Sequence, residues 1–191
     1  MSHIILCVLI KKKRLIFKNQ VYKVYSNYIK SKDYTVKDYL SLEVEGKKFG
    51  GVCSVIQNNK KIALMDVYSP ISKKKIFSLV QGFCNKNENS INAIRREILE
   101  ETGINVRKQD IKYLNKIFPM HSLINAKLAC FHVQLKKINN SDFKRREKEI
   151  GSGKINFYNI SQIKKMLKKP YNFDLISYAL ISYFLIERKI I

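Results

Sequence analysis

Residues 82–104 read GFCNKNENSINAIRREILEETGI, and they pose a problem in electrostatics that decides the fold. The chain carries 37 Lys and Arg against 15 Asp and Glu, a formal charge of +22, yet Glu97, Glu100 and Glu101 stand together on one short segment. The segment reads as a helix. Ser90 is the expected N-cap, Ile91, Ile94 and Ile98 recur at helical spacing, and Gly103 sits where a left-handed residue would end the helix. At about 100° per residue, the three carboxylates fall within an arc of roughly 100°, beside the Ile stripe. Like charges at i,i+4, here Glu97 and Glu101, cost a few tenths of a kcal/mol. Acids also favour the first turn of a helix over the last. A divalent cation removes the conflict, because Mg²⁺ takes hard oxygen ligands and binds one or two carboxylates together with substrate phosphates. Arg96 can pair with a neighbouring carboxylate and hold it in position.

The spacing around that helix resembles the Nudix box, Gly-x5-Glu-x7-Arg-Glu-U-x-Glu-Glu-x-Gly-U, where U is aliphatic. Gly82, Glu88, Arg96, Glu97, Ile98, Glu100, Glu101, Gly103 and Ile104 fill its defined positions. From average residue frequencies, a chance match at a given start is on the order of one in a billion. The resemblance implies a loop-helix-loop that binds Mg²⁺ or Mn²⁺ and hydrolyses a nucleoside diphosphate linked to another group. It implies Glu97 and Glu101 as the main metal ligands, with Glu100 ligating or supporting them and the backbone carbonyl of Gln81 facing a metal. Arg96 belongs with this catalytic set as a partner of the carboxylates, and Glu88, Gly82 and Gly103 are structural in the motif. Ligating carboxylates have their lone pairs committed, so the base that takes a proton from the attacking water is expected outside the box. The candidates are Glu147 and Glu149 in the loop REKE at 146–149, with Glu147 preferred.

Over roughly residues 21–188 the layout resembles ADP-ribose pyrophosphatase-type members. An N-terminal strand region precedes Gly50-Gly51-Val52, Pro119 follows the box by about fifteen residues, and the acidic loop is followed by INFYNISQIKKML. The resemblance implies an α+β Nudix fold, a mixed β-sheet sandwiched between helices (α/β/α). Residues 1–47 would be a β-rich extension able to pair two copies into a homodimer, and 48–191 the hydrolase domain. There are departures. Ser78-Leu79-Val80-Gln81-Gly82 stands where such enzymes read Glu-Leu-Pro-Ala-Gly, MDVYSP replaces an Arg-rich segment, and Phe118-Pro119-Met120-His121 replaces a Ser-Pro-Gly turn. Altered substrate contacts are therefore expected, with His121 and Pro119 as candidate pocket residues, because functional groups concentrate on loops.

The rest of the chain reads coarsely. VYKVYSNYI and YLSLEVEG alternate as strands with exposed faces, and Gly46 and Gly50-Gly51 punctuate a turn. GVCSVI and KIALMDVYS read as a strand pair around Asn58-Asn59. LACFHVQL reads as a buried strand that makes His132 structural, INFYNI as a short strand, and SQIKKML as a helix capped by Ser161. A final helix is expected from Asn172 to about Arg188.

Composition excludes some classes and leaves others open. Cys7, Cys53, Cys84 and Cys130 form no C-x-x-C pair, so neither a zinc site nor a compact disulfide framework is expected, and a reducing cytoplasm fits. MSHIILCVLIKKKR places its apolar run before its charges, the reverse of a signal peptide, and reads as an opening strand or an extended start. LISYALISYFLI suits a core helix better than a membrane span, so no membrane anchor is expected. The basic clusters are scattered and Lys outnumbers Arg, which favours a solvated surface over a nucleic-acid groove. Three functions remain: a pyrophosphatase of small nucleotides, an RNA 5'-end pyrophosphohydrolase, and an idle domain that only senses a ligand. The complete Glu set argues against the last.

Overall fold

A computed structural model describes residues 9–44, 50–135 and 152–190. The chain divides into two compact units, one of the N-terminal strands with Phe118–Ala126 and one of the remainder. In the first, β1 (Leu9–Lys18), β2 (Tyr22–Lys30) and β3 (Thr35–Val44) form an antiparallel meander. The order of this sheet is completed by the two-residue β9 (Ile124–Asn125), parallel to β3. The buried Asn27 side-chain amide donates to the Tyr39 carbonyl at 2.9 Å and to Ser41 Oγ at 2.8 Å. β1 is an edge strand exposed along its whole length. It carries Leu9, Ile10, Leu15, Ile16 and Phe17 to the surface around Lys11, Lys12, Lys13 and Arg14. The described part of the expected opening strand is Leu9–Lys18, and residues 1–8 lie outside the described residues.

In the second unit β4 (Gly51–Asn58) and β5 (Lys61–Ser69) form the expected hairpin, with Asn59 in the left-handed region at φ 55°. β6 (Lys74–Ser78) pairs with β5, and β7 (Val80–Phe83) pairs with β4. The sheet is extended by β8 (Ile111–Ile117), β10 (Leu128–Leu135) and β11 (Ser152–Asn159). Its order is β11-β5-β4-β10-β8, and β10 runs parallel to β4 but antiparallel to β8, so the sheet is mixed.

The central strands are buried on both faces and therefore read as continuous apolar runs. Val52 and Ile56 of β4, with Ala129, Phe131 and Val133 of β10, join the cluster that contains Ala93, Ile94 and Ile98 of α1 (Ser90–Thr102). The alternate residues Cys53, Val55 and Cys130 join the opposite cluster. There they meet Ile163 of α2 (Ile160–Leu167) and Leu180, Ile181, Phe184 and Leu185 of α3 (Leu175–Glu187). Each Val, Leu, Ile or Phe side chain among them contributes about 1.5–3 kcal/mol by leaving water. The fold is the expected α+β sandwich of a mixed sheet between helices. No helix among the described residues is long and apolar enough to cross a membrane.

Both expected N-caps are displaced. Asn89, not Ser90, caps α1 by accepting the Asn92 N–H at 2.9 Å. Asn159, not Ser161, caps α2 and forms a reciprocal capping box with Gln162. The last helix starts at Leu175 rather than near Asn172, because Asp174 caps it by accepting the Ser177 N–H at 2.9 Å. Gly46 lies outside the described residues.

His132 is buried in this core, as expected of a structural histidine. Its Nδ1 faces Arg188 Nη2 at 3.3 Å and its Nε2 faces Gln57 Oε1 at 3.0 Å. A guanidinium only donates, so Nδ1 is the acceptor and the proton sits on Nε2, donating to Gln57. Burial, then the nearby charges of Arg188 and Lys112, push its pKa down to about 4 from 6.5. The native state therefore refuses a proton that the unfolded chain accepts between these values, and stability falls as pH drops from 6.5 toward 4. The loss is expected to reach roughly 2–3 kcal/mol. Urea midpoints across that range should show the slope in the wild type, and His132→Gln should flatten it; an unchanged slope in the variant would refute the assignment.

Candidate active site

Helix α1 is fixed at both ends and on one face. After the Asn89 cap, Ala93, Ile94 and Ile98 bury against the sheet, and the chain leaves α1 through Gly103 at φ 76°, whose N–H donates to the Leu99 carbonyl. A residue with a side chain is strained in that left-handed conformation. Ile91 does not join the stripe: it is 38% exposed, in the first turn.

Arg96 gathers the acids of the box. Its Nε and Nη2 form a two-pronged contact with Glu88 at 3.1 and 3.0 Å, and Nη2 also donates to the Phe83 carbonyl at 2.8 Å. Nη1 donates to Glu97 Oε1 at 2.8 Å and to Glu100 Oε2 at 2.9 Å. Burial opposes the charge on Arg96, but the hydrogen bonds to Glu88 and the charge of Glu97 outweigh it and raise its pKa. Burial likewise acts to raise the pKa of Glu88, but the hydrogen bonds from Arg96 and the Asn85 N–H lower it overall. A carboxylate with a depressed pKa stabilises the fold above its unfolded pKa, and that contribution is lost as pH falls through the folded value.

Glu97 is more enclosed than its place at the edge of the helix suggests, at 7% exposure. Its carboxylate lies against the Cα of Gly82 in β7, so close that a Cβ on residue 82 would sit 2.1 Å from Glu97 Oε1. Glycine is required there to let a carboxylate reach the strand. Gln81 precedes it, and since successive strand residues point to opposite faces, its side chain leaves Glu97 and turns to Ser78 Oγ, to which Nε2 donates at 3.1 Å. The peptide of residue 81 is thus covalently next to the seat of Glu97. Glu101, one turn further along α1, is partly buried.

Among the described residues, no three His, Cys, Asp or Glu side chains converge closely enough to hold a cation unaided. Mg²⁺ does not require this, since it keeps waters and takes one or two carboxylates with substrate phosphates. The donor set is all hard oxygen, with Glu97 held against a strand whose glycine leaves room for it, so the residues fit Mg²⁺ or Mn²⁺. Cys84 and Cys130 supply no thiolate, because burial pushes their thiols up to about 11 and about 12.

The structure brings Gly82, Glu88, Arg96, Glu97 and Glu100 into one network of contacts, and carries Glu101 on the same helix, which Gly103 ends. His121, exposed in a turn, and Pro119 fall in the segment that clusters with the first unit. Glu147 and Glu149 lie outside the described residues. The Phe83 carbonyl that anchors Arg96 is not legible in the sequence, since a backbone acceptor has no signature in side-chain identity.

The α/β/α sandwich seats a carboxylate-bearing helix, α1, against the glycine of strand β7. The chain belongs to the NUDIX domain family, whose model matches residues 47–175. No curated protein matches it by sequence. Among solved structures, the crystal structure of an ADP compounds hydrolase is similar in fold, with a TM-score of 0.72 over 96% of this chain and 97% of that one. The two share 14% sequence identity.

Proposed function

We propose that the protein hydrolyses the pyrophosphate bond of a nucleoside diphosphate linked to another group, ADP-ribose or a nucleotide sugar, with Mg²⁺ or Mn²⁺ as cofactor. The observation that carries this is the Glu97 carboxylate, held by Arg96 and seated on Gly82 beside the Gln81 peptide. Glu97, Glu101 and the Gln81 carbonyl would hold the cation, with Glu100 supporting them. When bound, the cation supplies charge neutralisation for the diphosphate and a Lewis acid for the attacking water. The protein's own part is geometric: Arg96 fixes two of the three carboxylates and ties them to Glu88 and the Phe83 carbonyl. The solved ADP compounds hydrolase favours an ADP-containing substrate for this chain. His121 and Pro119 are assigned to the substrate pocket. Residues 1–47 are taken as a pairing element for a homodimer, since exposed apolar side chains on an edge strand favour association. Cytoplasmic location is part of the same reading.

The test is a hydrolysis screen with Mg²⁺ and Mn²⁺ over ADP-ribose, nucleotide sugars, dinucleoside diphosphates, nucleoside triphosphates and 5'-triphosphorylated RNA. Turnover is expected on the first two classes; turnover confined to RNA 5' ends would refute the assignment. The charge of +22 favours RNA as the second reading. RNA binding driven by that charge falls steeply as salt rises, because counterion release drives it.

The base is assigned to Glu147 or Glu149. Removing the right one lowers turnover by roughly 10²- to 10⁴-fold, the usual contribution of general-base catalysis, with little change in KM. Rates of Glu147→Gln, Glu149→Gln and the double variant decide it. A double variant within a few-fold of wild type would move the role to His121 or to the cation's own activation of water.

A further inference from the structure

β4 and β5 pair with each other only at Gln57↔Ile62 and Asn58↔Lys61, beside their connecting turn. Beyond that they take different neighbours. β5 pairs with β6 from Met65↔Ser78 to Ser69↔Lys74, and β4 pairs with β7 from Ser54↔Val80 to Gly51↔Phe83. The chain therefore crosses from one strand's edge to the other's in a single residue, Leu79, which belongs to neither β6 nor β7. Leu79 is 1% exposed, so its N–H needs a partner inside the protein. That partner is Ser177 Oγ at 2.8 Å, on the first turn of α3 and itself fully buried.

The same helix end is tied to the crossing twice more. The Asp174 N–H donates to the Phe77 carbonyl at 3.3 Å, and Phe77 forms a parallel bridge with Phe173. Asp174 Oδ1 in turn accepts the Ser177 N–H at 2.9 Å, which fixes the serine's backbone. Two residues beyond Leu79 comes Gln81, and then Gly82, the seat of Glu97. Slack at Leu79 therefore passes along two peptide units to the Gln81 carbonyl and the surface that Glu97 touches.

We propose that Ser177 is a positioning residue of the active site. By accepting the Leu79 N–H it fixes the strand crossing that aims the Gln81 carbonyl and holds the Gly82 seat of Glu97, and so it sets the affinity for the divalent cation. This rests on the metal reading of the box given above. Mg²⁺ demands near-ideal octahedral geometry, so a small shift of one fixed oxygen weakens binding where a soft, adaptable site would absorb it.

The experiment measures Mn²⁺ binding to the full chain without substrate, by the electron paramagnetic resonance signal of free Mn²⁺, and thermal midpoints of the same samples. Ser177→Ala is expected to weaken Mn²⁺ binding by roughly 10- to 100-fold, the usual effect of removing an outer partner of a metal site. Ser177→Cys keeps the volume but offers a poor acceptor, and should move in the same direction with less loss of fold. Leu185→Ala, in the same helix and apolar cluster but about two helical turns beyond Ser177, should lower the midpoint at least as much and bind Mn²⁺ as wild type does. Either Ser177 variant binding within about two-fold of wild type, while Glu101→Gln does not bind, overturns the role of Ser177 alone. A wild-type chain that binds no Mn²⁺, or Glu101→Gln binding as tightly as wild type, overturns the metal reading and the role of Ser177 with it.

Discussion

Glu101→Gln is expected to lower turnover by roughly 10²- to 10³-fold at saturating Mg²⁺ and to leave the thermal midpoint nearly unchanged. The substitution keeps shape and removes one negative charge from the proposed cation site. A cation's electrostatic share of transition-state stabilisation is several kcal/mol, and about 3–4 kcal/mol corresponds to that loss at roughly 1.4 kcal/mol per decade. Glu97→Gln should lose at least as much turnover, but it separates from Glu101→Gln in stability. At 7% exposure Glu97 is paired with Arg96 and packed on Gly82, so its amide variant also weakens a half-buried ion pair, costing about 1 kcal/mol or more. The sequence alone places both acids beside the Ile stripe, at the edge of the core; the structure shows that one of them is enclosed. Steady-state kinetics over a Mg²⁺ titration, with melting curves of both variants, test the two halves. A near wild-type rate for Glu101→Gln at saturating Mg²⁺ would remove Glu101 from the metal site.

What could be read from the sequence was what depends on side-chain identity at fixed spacing. The box needs particular acids, an arginine and glycines at set intervals, and β4 and β10 announce themselves as unbroken apolar runs because both faces are buried. Caps were misplaced by one or two residues where two cap-forming side chains stand close together. The third helical position could have separated them at α2: Asn159 places Gln162 there and completes a capping box, whereas Ser161 would place Lys164 there.

The elements that gave no signal are those made by tertiary contact. β8 has exposed Tyr113 and partly buried residues at every third position rather than every second, following a register shift opposite Cys130 and Phe131. β6 and β7 look like one irregular segment in sequence, and only the splaying of β4 from β5 gives each of them a partner. The same limit hid Ser177, which lies 98 residues from Leu79 and has no local spacing to betray it. Arg96 was legible as the partner of one carboxylate. That it serves three carboxylates and a carbonyl depends on the path of the loop 83–89, which brings Phe83 and Glu88 onto it.

That convergence makes Arg96→Ala strongly destabilising. The variant leaves Glu88, Glu97 and Glu100 facing one another without their common cation. Their side chains are only 15%, 9% and 27% exposed, so water restores little of the lost solvation. Breaking such a pair from one side costs about 3–5 kcal/mol when it is fully buried, and partial exposure places this case near the lower end. About 3 kcal/mol lowers the midpoint of a domain this size by roughly 6–12 °C. Arg96→Lys should recover only part of it, because an ammonium is a point charge and cannot span Glu88 in two prongs while also reaching Phe83. If Glu97 and Glu101 hold the cation as proposed, the loss should shrink in Mg²⁺, which then supplies some of the missing positive charge and stabilises the folded state by mass action. Urea unfolding of wild type, Arg96→Ala and Arg96→Lys, each with and without saturating Mg²⁺, reads both effects. If Arg96→Ala unfolds at the wild-type midpoint, the guanidinium does not hold the carboxylates together. If Mg²⁺ raises the midpoint of neither wild type nor variant, the cation does not bind among them.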